Sequence, residues 1–412
     1  MFSEIFARTL RAFAQRPPVF SPPLTCHTHS SRLCTLCHAS RVSYDDEFRA
    51  RNAALQEYWR ALKESCPLEP LVPSARGRHY RTVSKRKVFR SRGEVRLGLI
   101  DPVALAPRHI ADVDHCMIEP EFHGAVYAHL GGALLRPSAE RIGALLRYVV
   151  IKGNYRQGIV ILSLENTGGA GTGEINALSK ALTRACPEVR GVLLYEGAGS
   201  GRYYLGTSDP DSRATARRVY GQSEIRQRFG GKEFFFPALS FSQVNASLVD
   251  ALIEEATRMA APGAHSVLYD LYCGYGVFTL TLGAASARAL GIDRARESID
   301  AASANAKRQG AGNVRFVRAA LSGEGLSAVL PQLRTQDAVL LDPPRGGTAA
   351  GVIECIAARR PGRVVHLFCN IERMGEEIAR WKRCSYRPSR AVPFDMFPGT
   401  DDTEMMILFL PA

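Results

Sequence analysis

A chain of 412 residues is too long for one ordinary hydrophobic core and predicts two domains, with a small module beside them. With 46% hydrophobic and 23% charged residues it has the composition of a soluble globular protein, and no apolar stretch approaches the ~20 residues that would span a bilayer. The formal net charge of +13 points to an anionic partner, nucleic acid first, while ten cysteines in so long a chain speak against a secreted disulfide scaffold.

At the N-terminus Phe2, Ile5, Phe6, Leu10 and Phe13 alternate with Arg8, Arg11 and Arg16. A basic amphipathic helix here would resemble an organellar presequence, which Glu4 weakens; we expect residues 1–25 to be a disordered extension of a cytoplasmic protein. Cys26, Cys34 and Cys37 follow within twelve residues, and Cys116 comes much later. A Cys-x-x-Cys pair turns two thiolates toward one ion, and two further thiolates complete either a tetrahedral zinc site or a four-iron cluster. Spacing does not choose between them.

Residues 43–62 carry Phe48, Ala53, Leu55, Tyr58, Trp59 and Leu62 at helical spacing. Nine cations lie between Arg76 and Arg96 (Arg76, Arg78, Arg81, Lys85, Arg86, Lys87, Arg90, Arg92 and Arg96), with Tyr80 and Phe89 among them. Cations neutralise phosphates and aromatic faces stack on bases, so the run predicts a basic hairpin that binds RNA or DNA. From about Tyr80 to Phe236 strand-like and helical runs mix, as in Val149-Val150-Ile151 and Glu174 to Ala185. The loop Gly168 to Gly173 has no following Lys-Ser/Thr to grip a triphosphate and reads as a turn.

Beyond Phe241-Ser242-Gln243-Val244-Asn245 strands and helices alternate regularly. A strand over Ser266–Asp270 leads into Leu271-Tyr272-Cys273-Gly274-Tyr275-Gly276, and a second strand ends at Asp293. This is the βαβ layout of a doubly wound sheet, with its ligand at the C-terminal edge. The pattern is Gly-x-Gly rather than Gly-x-Gly-x-x-Gly, so the turn suits a nucleoside without phosphates, and Asp293 can accept from both ribose hydroxyls. S-adenosylmethionine fits that better than a dinucleotide. A later strand, Ala338 to Leu341, delivers Asp342-Pro343-Pro344-Arg345 to the same edge, and Val364 to Phe368 delivers Cys369-Asn370. Arg345 stands where enzymes that methylate exocyclic amines carry a stacking aromatic, which leaves ring carbon as the methyl acceptor.

Uracil C5 is a poor nucleophile. Thiolate addition at C6 turns the ring into an enolate that attacks a methyl sulfonium, and a base must then remove the C5 proton so that the cysteine can leave. Cys369 and Glu404, just before a last strand over Met405 to Leu410, could supply these two groups. On position alone a strand-tip cysteine is more often packing than nucleophile; Gly274, Gly276, Asp293, Asp342 and the basic run reverse that reading.

These motifs together resemble the RNA (uracil-5-)-methyltransferase family, in particular its iron-sulfur branch typified by bacterial 23S ribosomal RNA enzymes. The resemblance runs from about Cys26 to the C-terminus through Phe241 to Asn245, Asp270 to Gly276, Asp342 to Arg345, Phe368 to Asn370, and Asp395-Met396-Phe397-Pro398 with Glu404. It implies cofactor-binding positions at Gln243, Tyr272, Asp293 and Asp342, a nucleophile at Cys369, a proton-abstracting base at Glu404, and a [4Fe-4S] cluster on Cys26, Cys34, Cys37 and Cys116. Val277, Ala320, Ile371 and Asp402 depart from the family's usual residues, and the N-terminal oligonucleotide-binding domain of many relatives is missing.

The sequence thus predicts an α/β protein with a Rossmann-like S-adenosylmethionine-dependent domain over 241–412. Before it come an iron-sulfur and RNA-binding central region over 26–240, whose helix near 43–62 packs on the catalytic domain, and the extension 1–25. The expected activity is methylation of uridine C5 in RNA, ribosomal more than transfer RNA, by a monomer with no membrane contact. An RNA cytosine C5-methyltransferase and a catalytically decayed metal-stabilised RNA-binding protein are the alternatives.

Overall fold

The computed structural model describes residues 1–15, 26, 37–39, 41–91, 94–100, 109–112, 116–164, 172–196 and 215–412. Two helices come first, α1 (Phe2–Ala14) and α2 (Tyr44–Leu62). The central region then runs β1 (Val83–Ser91), β2 (Glu94–Ile100), β3 (His109–Asp112), α3 (Glu121–Leu134), α4 (Glu140–Leu145), β4 (Leu146–Gly153), β5 (Gly158–Leu164), α5 (Thr172–Ala185), β6 (Val189–Glu196) and β7 (Thr215–Gly221). A hairpin of β8 (Glu224–Phe229) and β9 (Lys232–Pro237) leads to the C-terminal region. That region comprises α6 (Val249–Ala260), β10 (Val267–Leu271), α7 (Val277–Leu282), β11 (Arg288–Asp293), α8 (Arg296–Arg308), β12 (Val314–Arg318), α9 (Gly323–Val329), β13 (Ala338–Leu341), α10 (Val352–Ala358), β14 (Arg363–Phe368), α11 (Ile371–Arg383), β15 (Tyr386–Phe394) and β16 (Glu404–Pro411).

Two seven-stranded sheets organise the molecule, in the orders β3-β2-β1-β4-β5-β6-β7 and β12-β11-β10-β13-β14-β16-β15. In the second sheet β10 to β14 pair in parallel, and β16 inserts antiparallel between β14 and β15. Alternate residues of its central strands enter opposite cores, because successive side chains of a strand leave on opposite faces. Val339, Leu341, Val364 and Phe368 face α1, α2, α10 and α11. Leu340, Val365, Leu367 and Met406 instead join the core that also takes in α6, the β8–β9 hairpin and Val150 and Ile161 of the central sheet.

The N-terminal residues differ from the expected disorder. Phe2, Ile5, Phe6 and Leu10 form a stripe at helical spacing, and that stripe is buried against α2 and the core of the C-terminal region. The buried face of α2 takes in Leu55, Tyr58 and Trp59 as expected, with Phe48 and Leu62 packed against the same core, but it also passes through Glu47, Ala50, Arg51 and Ala54 and leaves Ala53 exposed. Ser43 caps this helix by accepting from Asp46 N, and Tyr58 Oη donates to Ile371 O at 2.7 Å, which fixes α2 to the start of α11. Among the described residues no helix is long and apolar enough to cross a membrane.

Candidate active site

Strand register builds the site. Parallel strands present their C-terminal tips on one edge, so β10, β11, β13 and β14 deliver Tyr272 to Gly276, Asp293, Asp342 and Cys369 side by side. Because β16 runs the other way, its first residue lies on that same edge. Phe368 pairs with Met405 and Phe394 with Glu404, so the residue after Phe368 and the residue before Met405 are neighbours. Glu404 is the first residue of its strand rather than the residue ahead of it. Thirty-five residues of sequence between thiol and carboxyl collapse into one register step.

Cys369 Sγ lies 3.6 Å from Pro343 O, in a cleft lined by Pro344, Arg345, Phe368 and Asn370 among others. Burial pushes its thiol up to about 12, and Asp342 and Glu404 push the same way, while Arg345 opposes them. Glu404 is 3% exposed, and its Oε2 has no hydrogen-bond partner among the described residues. Burial above all, then Asp342, holds this carboxyl well above the usual carboxylate range; Arg345 again opposes. Arg345 itself is tied down, donating to Asp402 Oδ2 at 2.6 Å and standing 5.3 Å from the centre of the Phe397 ring. Asp402 therefore anchors a cation that favours both ionised groups.

The cofactor side of the edge is a strained turn. Tyr272 has φ +64°, Gly274 +53° and Gly276 +91°, all in the left-handed region. A Cβ on Gly276 would also meet the Phe316 ring at 2.8 Å. Gly274 N donates to Asp293 Oδ2 at 3.0 Å and Ala295 N to Oδ1 at 2.8 Å, so the acid that ends β11 is held against the glycine turn. Gln243 Nε2 donates to Asp342 Oδ2 at 3.1 Å, which brings the segment before α6 into the same edge. Burial raises Asp342 to about 7 against that hydrogen bond. Asp270 is also raised to about 7, by burial first; Thr279 Oγ1 donates to it at 2.5 Å, and Asp342 and Asp293 raise it further. Gln243, Tyr272, Gly274, Gly276, Asp293, Asp342, Cys369 and Glu404 are thus brought together. Sequence reasoning missed Arg345 as the site's cation; the signal was its place directly after the proline pair.

The cysteine set is only partly described. Cys34 lies outside the described residues, and among those described no three His, Cys, Asp or Glu side chains are grouped for a metal ion. Cys37 and Cys116, far apart in sequence, are nevertheless close enough that the Cys37 thiol raises that of Cys116, whose burial is the larger cause. Cys26 is half-buried.

The basic run divides by strand face. Arg86 is 1% exposed and binds Glu119 through two bonds of 2.9 and 2.8 Å; Arg78 donates to Glu47 at 2.8 Å, and Arg90 Nε to Gly143 O at 2.6 Å. These three hold the fold together instead of meeting phosphates, as the expected hairpin would have them do. Lys85, Lys87 and Phe89 leave β1 on the other face. There Lys85 stands over the Tyr148 ring and Lys87 over Phe89, each at 5.5 Å. Phe241, 68% exposed, lies two residues before Gln243.

Comparison with known proteins fits this layout. Residues 213–411 match the family model described as tRNA (Uracil-5-)-methyltransferase. An uncharacterized RNA methyltransferase of Oceanobacillus iheyensis is 25% identical over 392 residues, covering 92% of this chain and 81% of its own. Another, from Gloeobacter violaceus, is 28% identical over 377 residues, covering 90% and 79%. Among solved structures, the Pyrococcus abyssi tRNA (uracil-54, C5)-methyltransferase in complex with S-adenosyl-L-homocysteine superposes with a TM-score of 0.67 at 18% identity, over 90% of this chain and 84% of that one. At that identity the likeness is one of α/β methyltransferase fold.

Proposed function

We propose, from the premise that residues 213–411 form a domain of the tRNA (uracil-5-)-methyltransferase family, that this chain methylates C5 of a uridine in RNA through a covalent adduct on Cys369. The chain is an enzyme, an S-adenosylmethionine-dependent RNA uracil-C5 methyltransferase. The observation that carries the mechanism is the register that sets Cys369 beside Glu404 on the edge shared with Asp293 and the glycine turn.

S-adenosylmethionine supplies an electrophilic methyl sulfonium. The residues present fit it: Gly274 and Gly276 leave the backbone bare, Asp293 offers carboxylate oxygens to a ribose diol, and Gln243 with Asp342 closes the far side. Cys369 Sγ gives up its proton to solvent water and adds to uracil C6, which places the ring electrons at C5. C5 then takes the methyl group as the methyl–sulfur bond breaks. Glu404 accepts the C5 proton, and those electrons expel Cys369 Sγ and restore the ring's double bond. For this step a carboxyl held above its usual range is a stronger base once ionised, and Arg345 is the cation beside it. A duplex-embedded uridine would first have to be flipped into the cleft.

Lys85, Lys87, Phe89 and Tyr148, half-buried on one face of β1 and β4, contribute to the RNA-facing surface in this reading. Cys26, Cys34, Cys37 and Cys116 would hold the four-iron cluster, and the proximity of the Cys37 and Cys116 thiols suits such a donor set. Its place there would be structural, far in function from methyl transfer. Ribosomal RNA is the favoured substrate, with the enzyme acting as a cytoplasmic monomer. The buried pairing of Cys369 and Glu404 weighs against a decayed site.

The test uses ribosomal and transfer RNA fragments containing 5-fluorouridine, whose fluorine blocks proton removal. A denaturing gel should show a covalent complex that maps to Cys369 and is absent in Cys369→Ala. Binding of the RNA by the wild type without any adduct would refute the mechanism, and the fragment trapped decides the substrate class.

A further inference from the structure

Behind the catalytic edge lies a polar cluster that none of this chemistry uses. Arg51 of α2 is fully buried, and its guanidinium is spent on one loop. Nη1 donates to Asp402 O and to Thr403 Oγ1, both at 2.7 Å, Nη2 donates to Thr400 O, and Nε lies 3.2 Å from Asp395 Oδ1. Glu47, one turn earlier, accepts from Arg51 Nη2 at 2.9 Å, from Gly399 N at 2.6 Å and from Arg78 at 2.8 Å, with His38 Nε2 3.0 Å away. The loop so gripped joins β15 to β16. It begins after Phe394, reverses at Gly399 with φ +85°, and ends at Glu404.

Without Arg51 the half-buried carbonyls at 400 and 402 would lose their donor and the buried carboxylate of Asp395 its nearest cation, and loop ordering would have to come from elsewhere. The bonds cluster on the residues just ahead of Glu404, and none reaches the glycine turn, Asp293 or Cys369. We infer that Arg51, held by Glu47, is a positioning residue that aims Glu404 at the C5 proton, so that an enzyme segment more than three hundred residues upstream sets the proton-removal step. This rests on the methyltransferase reading above. Removing the C5 proton is needed only after methyl transfer. A misaimed base therefore stalls the enzyme as the methylated Cys369 adduct, whereas a general loss of structure would diminish every step alike.

The experiment compares wild type, Arg51→Met, Arg51→Lys, Glu47→Gln and Glu404→Gln on unmodified RNA with methyl-labelled S-adenosylmethionine. Adduct is scored on denaturing gels, release by quench kinetics, and cofactor affinity by calorimetry. Arg51→Met should accumulate labelled adduct as Glu404→Gln does, with release slowed by about 10-fold or more out of the ~10²–10⁴ that general-base catalysis contributes. Its cofactor affinity should stay within about two-fold of wild type, and Arg51→Lys should recover part of the release rate. Turnover by Arg51→Met without adduct overturns the inference, as does a parallel fall in adduct formation and cofactor affinity. Should Arg51→Met not fold, Glu47→Gln and Arg51→Lys decide by the same two readouts. If wild type forms no adduct even with 5-fluorouridine RNA, it is the methyltransferase reading that fails.

Discussion

Cys369 should be an inert thiol until RNA arrives. Burial, Asp342 and Glu404 carry it from the ordinary 9.0 to about 12, so near pH 8 it holds on the order of a thousandth of the thiolate of an ordinary cysteine. A more basic thiolate is intrinsically more nucleophilic, with a Brønsted slope of about 0.4–0.5, which returns roughly 15- to 30-fold. Iodoacetamide should therefore label Cys369 in the free protein roughly 30- to 60-fold more slowly than N-acetylcysteine near pH 8, before any allowance for limited access. The label at the Cys369 peptide is followed by mass spectrometry against pH, and its rate should climb about tenfold per pH unit through pH 10 with no plateau. Arg345→Met removes the cation that opposes the rise and should slow labelling further. A plateau below about pH 9, or labelling as fast as the free thiol, would show that the carboxylates and burial do not govern this sulfur.

Two further substitutions probe the cofactor turn and the central region. Asp293→Ala deprives Gly274 N and Ala295 N of their acceptor and a ribose of its own; S-adenosylmethionine should bind about 100-fold more weakly by calorimetry, and unchanged affinity would refute the assignment. Arg86→Met leaves Glu119 buried and unpaired at a cost of about 3–5 kcal/mol, read as a fall in thermal midpoint, and a loss below about 1 kcal/mol would contradict it. Against its own burial, Glu119 is held below the ordinary 4.5 by Arg86. The pair's contribution is therefore complete above about pH 4.5 and fades as pH falls through the lower folded value, so the stability gap between wild type and variant should narrow in acid.

The parallel half of the catalytic sheet was legible because each strand ends in a residue whose chemistry marks the edge: Asp293, Asp342, Cys369. Glu404 was legible as a residue near the same edge but not as one register step from Cys369, since nothing in the spacing says that β16 runs antiparallel and enters between β14 and β15. The basic run was legible as a hairpin, which β1 and β2 form, but not in how its cations divide. Charge density records how many cations are present, while the pleat of β1 decides that Ser84, Arg86 and Val88 turn inward and Lys85, Lys87 and Phe89 do not. Glu47 and Arg51 have the spacing of an ordinary surface pair on a helix. Their burial follows from the loop that covers them, which comes from the other end of the chain. The first residues were assigned to disorder on a basic composition, although Phe2, Ile5, Phe6 and Leu10 carried enough apolar surface to dock.

The insertion of β16 between β14 and β15 also bears on how the molecule is made. During synthesis β14 and β15 are both made before the strand that separates them, and until β16 follows each has an unpaired edge. In the proposed mechanism Cys369 is thus made before Glu404 is held in a fold, and a polypeptide stopped before β16 would have the nucleophile without the base that lets it go. Such a fragment would also keep two open strand edges, a ready target for quality-control proteases. If Glu404 performs the release step, carrying it on β16 means that only a chain whose sheet has closed can both take hold of its substrate and part from it.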